Sequence, residues 1–373
     1  MLMRAVLPTE LARGQTVIVF ARWLLVLVGL LVAIWNPDAL PLLRVEIGVI
    51  LLVAIANFVM HAQLLRRRPT IEGVAYAASL GDLLVISLLC GVQGGFHSNL
   101  FVFYFPAVLA IGVAFPTRQA AGLSCIAVCL ALMVGFIGAP NDLDLVLRGL
   151  GIATVAVIGN AYWRLHRSRI PRQGSTAAQE AAQDLFWGQI ATLGARWAII
   201  IGGAVLVLSR AASASELAVG ILPVVVLLVA NFYLHGRYLM ERPANAVLTL
   251  AACGLDLLLV AALFLNWRGT GALENPTFVF LYPLVFGVGL VFSPRLSWAF
   301  TSLALVVYTV LVVPTGLDGA GDLKVLVVRL VTLAAMGGLG SLYWRIVRRE
   351  SRSLTLHEAN SEAALAWQPA SAG

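Results

Sequence analysis

The chain has 373 residues, 60% of them hydrophobic and 12% charged, with a formal net charge of +7. A soluble chain carries roughly a quarter charged residues, and the mean hydropathy here is +0.93. That balance leaves no room for a soluble domain beside membrane spans, and it makes the basic excess the loop charge of a polytopic membrane protein, not a nucleic-acid surface.

The first residues, MLMRAVLPTELARGQ, lack the short apolar core and small-residue cleavage site of a signal peptide. Apolar windows then predict helices near 17–35, 45–64, 73–93, 99–115, 119–138 and 146–165. Six more follow near 194–209, 217–239, 245–266, 277–292, 296–314 and 324–346. The expected fold is an all-α integral membrane protein of about twelve transmembrane helices.

The loops between these windows alternate in charge. QLLRRRPT, PTRQ, RLHRSRIPRQ, HGRYLMERP, SPRLS and RIVRRESR are basic, whereas GVQGGFHSN, APNDLDL and TGLDGAGD are glycine-rich or acidic. Lys and Arg collect on the cytoplasmic side, so both termini are expected there, in a bacterial inner membrane.

The pattern is written twice. Ala21-Arg22-Trp23 recurs at Ala195-Arg196-Trp197, and Asn57, His61, Arg68 and Asp82 recur as Asn231, His235, Arg242 and Asp256, each pair 174 apart. Phe101 and Arg118 match Phe278 and Arg295 at 177, and Arg148 and Tyr162 match Arg329 and Tyr343 at 181. Offsets that stay constant and change only between blocks are what duplication with loop insertions leaves. The expected organisation is a six-span unit at 1–168, a polar cytoplasmic linker at 169–190 with a helical middle, a second six-span unit at 191–349 and a cytoplasmic tail at 350–373. Six spans per unit make the two units parallel, related by a pseudo-two-fold axis along the membrane normal.

Asp256, Leu257 and Leu258 open one helix, and Gly271, Leu273, Glu274, Asn275 and Pro276 follow in the next outer loop. This stretch resembles the membrane region of redox-responsive sensor histidine kinases of photosynthetic and related bacteria. In that family, a six-span sensor region carries an Asp-Leu-Leu opening to its third span and an outer-loop Gly-Gly-Leu-Glu-Asn-Pro-Phe motif. Ala272 and Thr277 depart from the motif, and Phe278 falls one place late. GQIATLGARWAII is similar to that family's entry into its first span. The resemblance implies a quinone as ligand at Gly271, Leu273, Glu274, Asn275, Pro276 and Phe278. The first unit keeps Gly94 and Gly95 but has His97, Ser98 and Asn99 in place of the Glu-Asn-Pro core. That half is expected to bind a quinone differently or not at all. Beyond Arg349 nothing resembles a phosphoacceptor helix joined to a nucleotide-binding domain, so the expectation is a pair of sensor regions without kinase domains.

Two readings of the motif stay open. Asn before Pro caps the first turn of a helix, and aromatic residues just inside fit an interface belt. Alternatively, Glu274, Asn275 and the free helix N–H groups converge on a flat carbonyl-bearing ring. Within the spans, Asp82 and Asp256 are acids at a depth where burial is costly. Arg148 and Arg329, near the outer ends of the sixth and twelfth spans, and Asn57 and Asn231 are possible partners. The acids are expected to face a polar pocket open toward the outer loop. Arg22 and Arg196 read as snorkelling interface anchors beside Trp23 and Trp197. His61 and His235 read as helix-end residues, and Cys90, Cys125, Cys129 and Cys253 as packing residues with no metal.

The function expected is a non-enzymatic membrane sensor or ligand-binding subunit. It takes quinone or another lipid-soluble ligand and signals to a separate cytoplasmic partner. The alternatives are a secondary transporter and an accessory or assembly subunit of a membrane redox complex.

Overall fold

The computed structural model describes residues 8–35, 40–66, 71–138, 142–167, 177–240, 244–265, 273, 275–315 and 319–366; Gly271 and Glu274 lie outside them. In chain order the helices are α1 (Pro8–Trp35), α2 (Leu40–Leu65), α3 (Glu72–Val92), α4 (Tyr104–Ala114), α5 (Thr117–Gly135) and α6 (Asp142–Arg167). They continue as α7 (Ala177–Arg210), α8 (Ala214–Leu239), α9 (Ala246–Leu265), α10 (Leu281–Val291), α11 (Pro294–Val312) and α12 (Ala320–Ala366). In a lipid environment every backbone N–H and C=O must be satisfied within the chain, and a long apolar run does this by coiling into a helix. The described chain is accordingly an all-α, multi-span membrane bundle. Large apolar side chains such as Leu27, Leu52, Phe58, Val157, Leu222 and Val306 face outward on it.

Ten of the described helices are long and apolar enough to cross a bilayer. The other two expected spans differ. Asn99–Ala114 and Pro276–Val291 are shorter apolar segments, each a five-residue 3-10 turn followed by the eleven α-helical residues of α4 or α10. Such a segment rises about 26 Å against a hydrocarbon core of about 30 Å. The shortfall is tolerated because these two helices do not face lipid. Every residue from Asn275 to Phe292 is buried.

Packing explains that burial. α4 lies against α1 and α6, and α10 lies against α7 and α12. α6 packs on α7, and α12 on α1, which closes a ring around the two short helices. The remaining helices sit outside: α2 on α1, α8 on α7, α5 on α6 and α11 on α12, with α3 on α5 and α9 on α11. Small residues permit the inner crossings. A Cβ added at Gly289 of α10 would stand 3.0 Å from the Gly340 Cα of α12, and one at Gly112 of α4 would stand 3.3 Å from the Ala156 carbonyl oxygen of α6.

The helical stretch entering the second unit starts inside the segment expected to be a linker, at Ala177. By Gln189 it is packed: the Gln189 side chain donates to the Ala244 carbonyl at 2.7 Å and accepts from the Ala244 N–H at 3.3 Å. At the other end, α12 runs unbroken through position 350 to Ala366.

Candidate functional site

Two constellations of polar residues lie inside the bundle. The first is a matched pair of ion pairs. Arg22 Nε donates to Asp82 Oδ2 at 2.6 Å, linking α1 to α3. Arg196 Nε donates to both carboxylate oxygens of Asp256, at 2.8 and 2.7 Å, linking α7 to α9. These arginines were expected to be interface anchors. They are instead 4% and 1% exposed, and they are the partners of the two acids. The cause is where α1 begins. The helix extends back to Pro8, so its apolar span starts at Gly14 and Arg22 lies about 12 Å inside it, close to the depth of Asp82 above Glu72.

The pairs differ in surroundings. The Asp82 side chain keeps 14% of its exposure, against 1% for Asp256. Arg22 Nη1 reaches the Met60 sulfur, and Arg196 Nη2 lies 3.9 Å from the Cys253 sulfur. Asn57 and Asn231 are fully buried but do not reach the acids. Asn57 donates to the Val19 carbonyl at 3.1 Å, and the amide of Asn231 has no hydrogen-bond partner among the described residues. His61 accepts from the Trp23 indole at 3.2 Å.

The second constellation stands at the end of the bundle that holds the 3-10 turns. Arg148 of α6 donates to the Phe96 carbonyl at 2.7 Å, with its guanidinium 3.7 Å from the Phe96 ring and 4.1 Å from the Phe101 ring. Arg329 of α12 donates to the Tyr308 hydroxyl at 3.0 Å and lies 3.6 Å over the Phe278 ring. Cations on aromatic faces gain from the ring quadrupole, more so when desolvated. The rings also meet one another. Phe101 stands edge-on to Phe278 at 5.9 Å, and Phe105 stacks on Tyr282 at 4.3 Å and 6°. Asp144 stands one turn before Arg148 on the same helix. Asp144 also forms an ion pair with Arg210 of α7 at 3.3 Å.

Leu273, Asn275, Pro276 and Phe278, the described residues of the outer-loop motif, are brought to this same end, and Asn275 and Pro276 build the turn there. Asn275 Oδ1 accepts from the N–H and the hydroxyl of Thr277, at 3.0 and 2.7 Å, while its Nδ2 donates to the Phe264 carbonyl at 3.1 Å. Pro276 takes the first position of the turn that Asn275 caps. Leu273 is half-buried against the core and Phe278 lies under Arg329. In the first unit Ser98 does the same capping work, accepting from the Leu100 N–H at 3.2 Å. Asn99 begins that turn, and His97 is exposed, edge-on to Phe96 at 5.8 Å. Gly94 and Gly95 have φ of 89° and 63°, a region few other residues adopt, and a Cβ at Gly95 would collide with the Ile137 backbone. A small pocket opens beneath this turn, lined by Cys90, Gly95, Phe101, Tyr104, Leu145 and Arg148 among others.

The fold and these constellations define a multi-span membrane protein with paired charges in its interior. No protein-family model, characterised protein or solved structure matches the chain.

Proposed function

We propose that the protein is a non-enzymatic ligand-binding sensor of the bacterial inner membrane, built as two parallel six-helix units about a pseudo-two-fold axis along the membrane normal. Both termini are cytoplasmic in this reading, and output passes to a separate cytoplasmic partner through α12 and the segment leading into α7. The dyad is supported by which residues touch. Phe101 and Phe278 are repeat equivalents, as are Phe105 and Tyr282, and each pair is in contact. A two-fold axis brings equivalent residues together in this way. The inner crossings repeat too: Gly112 and Gly159 of the first unit correspond to Gly289 and Gly340 of the second.

The observation that carries the ligand reading is the pair of arginines on aromatic faces beside that axis. A quinone is a flat ring bearing two carbonyl acceptors. Guanidinium groups have five donors each, and here aromatic walls stand beside them. Asn275 already spends its oxygen on capping and one N–H on the Phe264 carbonyl, so the quinone chemistry is assigned to Arg148, Arg329, Phe101 and Phe278.

The test is binding of decylubiquinone to the purified protein in nanodiscs, read as a saturable rise in thermal stability. An Arg329→Gln variant that folds should need about tenfold more ligand, the loss of one charge-assisted hydrogen bond. A stability rise that is non-saturable, or equal in wild type and variant, removes the quinone reading. One observation favours the transporter alternative. Short, interrupted helices at corresponding positions of two halves are the usual place for a transported substrate, and α4 and α10 are such helices. Release of bound ligand into the lumen of proteoliposomes, driven by an ion gradient, would replace the sensor with that reading.

A further inference from the structure

The second half of the molecule supplies a control for the first, and the comparison exposes a separate site. Around Arg22 and Asp82 a cavity of about 20 Å³ opens between α1, α3 and α4, walled by Leu25, Phe103, Pro106 and Ala107. That is room for one water-sized oxygen. Two buried polar atoms on its wall have no hydrogen-bond partner among the described residues: Arg22 Nη2 and Ser79 Oγ, on side chains 4% and 2% exposed. A buried donor left unsatisfied forfeits its bond to water with nothing in return, so a feature of this kind calls for an occupant.

In the second half the repeat equivalents close the same place. Cys253 stands for Ser79 and Leu284 stands for Ala107. Both are buried to within 1% of complete, and Arg196 Nη2, the counterpart of the unpartnered atom, lies 3.9 Å from the Cys253 sulfur. The larger side chain fills the wall, and the thiol removes the hydroxyl. Asp82 retains exposure at its crevice while Asp256 retains almost none. Apart from Arg22, Ser79 and Asp82 the walls of the open crevice are apolar, and the cavity is too small for a whole organic molecule.

We propose that the crevice of the first half binds the carbonyl or hydroxyl oxygen of an amphiphile dissolved in the bilayer. The oxygen sits between Arg22 Nη2 and Ser79 Oγ, and the hydrocarbon stays in lipid between α1 and α3. Arg22 donates to it, and Ser79 donates to it or, for a hydroxyl, also accepts. The site lies apart from the arginine–aromatic mouth and does not depend on quinone binding there.

The probe is dodecan-2-one carrying a mid-chain diazirine, photolysed with the full-length protein in phosphatidylcholine nanodiscs and mapped by peptide mass spectrometry. Labelling should fall on α1, α3 or α4 near Ser79, and excess dodecan-2-one should compete while dodecane does not. Ala107→Leu, which imports the second half's own side chain, should abolish it. Ser79→Ala should reduce it about fivefold, the effect of one neutral hydrogen bond. Leu284→Ala should create new labelling near Cys253. Arg329→Gln should leave all of this unchanged, which separates failure here from failure at the mouth. Absent labelling, equal competition by dodecane, or labelling that survives both Ala107→Leu and Ser79→Ala would overturn the proposal. If Ala107→Leu does not fold, Ser79→Ala alone decides it.

Discussion

Replacing Asp256 with Asn separates charge from shape at the more buried of the two ion pairs. The amide keeps the size and hydrogen-bonding capacity of the carboxylate, but Arg196 remains a cation 1% exposed with no counter-charge in contact. Breaking a buried pair by removing one partner costs about 3–5 kcal/mol, and translocon scales place a lone charge at a helix centre at about 2.5–3.5 kcal/mol. About 3 kcal/mol is therefore expected, a fall of roughly 150-fold in the folding constant at 1.4 kcal/mol per decade. Asp82→Asn should cost less, about 1–2 kcal/mol, because its partner sits beside an open crevice where water or a polar group can solvate it. Removing both charges together, as Arg196→Met with Asp256→Leu, should restore stability to within about 1–2 kcal/mol of wild type, since no uncompensated charge is then left behind. The assay is reversible unfolding by sodium dodecyl sulfate in mixed micelles, followed by tryptophan fluorescence. Equal stability of Asp256→Asn and wild type, or a larger loss for Asp82→Asn than for Asp256→Asn, refutes this reasoning.

Asn275→Ala removes a cap that holds three hydrogen bonds and should lower stability by about 1–2 kcal/mol, with Ser98→Ala costing about 1 kcal/mol or less, both read in the same unfolding assay. Gly95→Ala combines a positive φ with a collision against the Ile137 backbone and should sharply lower folded yield, whereas Gly94→Ala meets only the unfavourable φ and should cost about 1–2 kcal/mol. Leu284→Ala opens a cavity where the second half is packed and should cost about 2–5 kcal/mol in the unfolding assay.

The helices were legible from apolar windows, because lipid permits little else to such runs. What the windows hid was depth. The polar residues before Gly14 made the first span look late, so Arg22 read as an end-of-span anchor when it stands opposite Asp82. A signal was present: Arg22 and Asp82 repeat together, at the same offset, as Arg196 and Asp256. The Asn-Pro cap was legible from local turn chemistry alone. Its counterpart was not, because Ser98 lacks the following proline, and only the repeat register aligns it with Asn275. The roles of Arg148 and Arg329 needed the fold, since their aromatic partners come partly from other helices and neighbouring turns. The exchange of Ala107 for Leu284 was invisible as chemistry until the structure put Ala107 on the wall of the crevice beside Arg22 and buried Leu284 to within 1% of complete.

The proposed arrangement, two same-facing halves with their 3-10 turns at one outer mouth, is tested most directly by thiol labelling in intact cells. In a background with the four native cysteines replaced, single cysteines are placed at His97, at Glu274 and at Gly174. A membrane-impermeant maleimide should label positions 97 and 274 from outside, and position 174 only after the cells are permeabilised. Labelling of just one of positions 97 and 274 from outside would make the halves inverted, and labelling of position 174 in intact cells would reverse the whole topology.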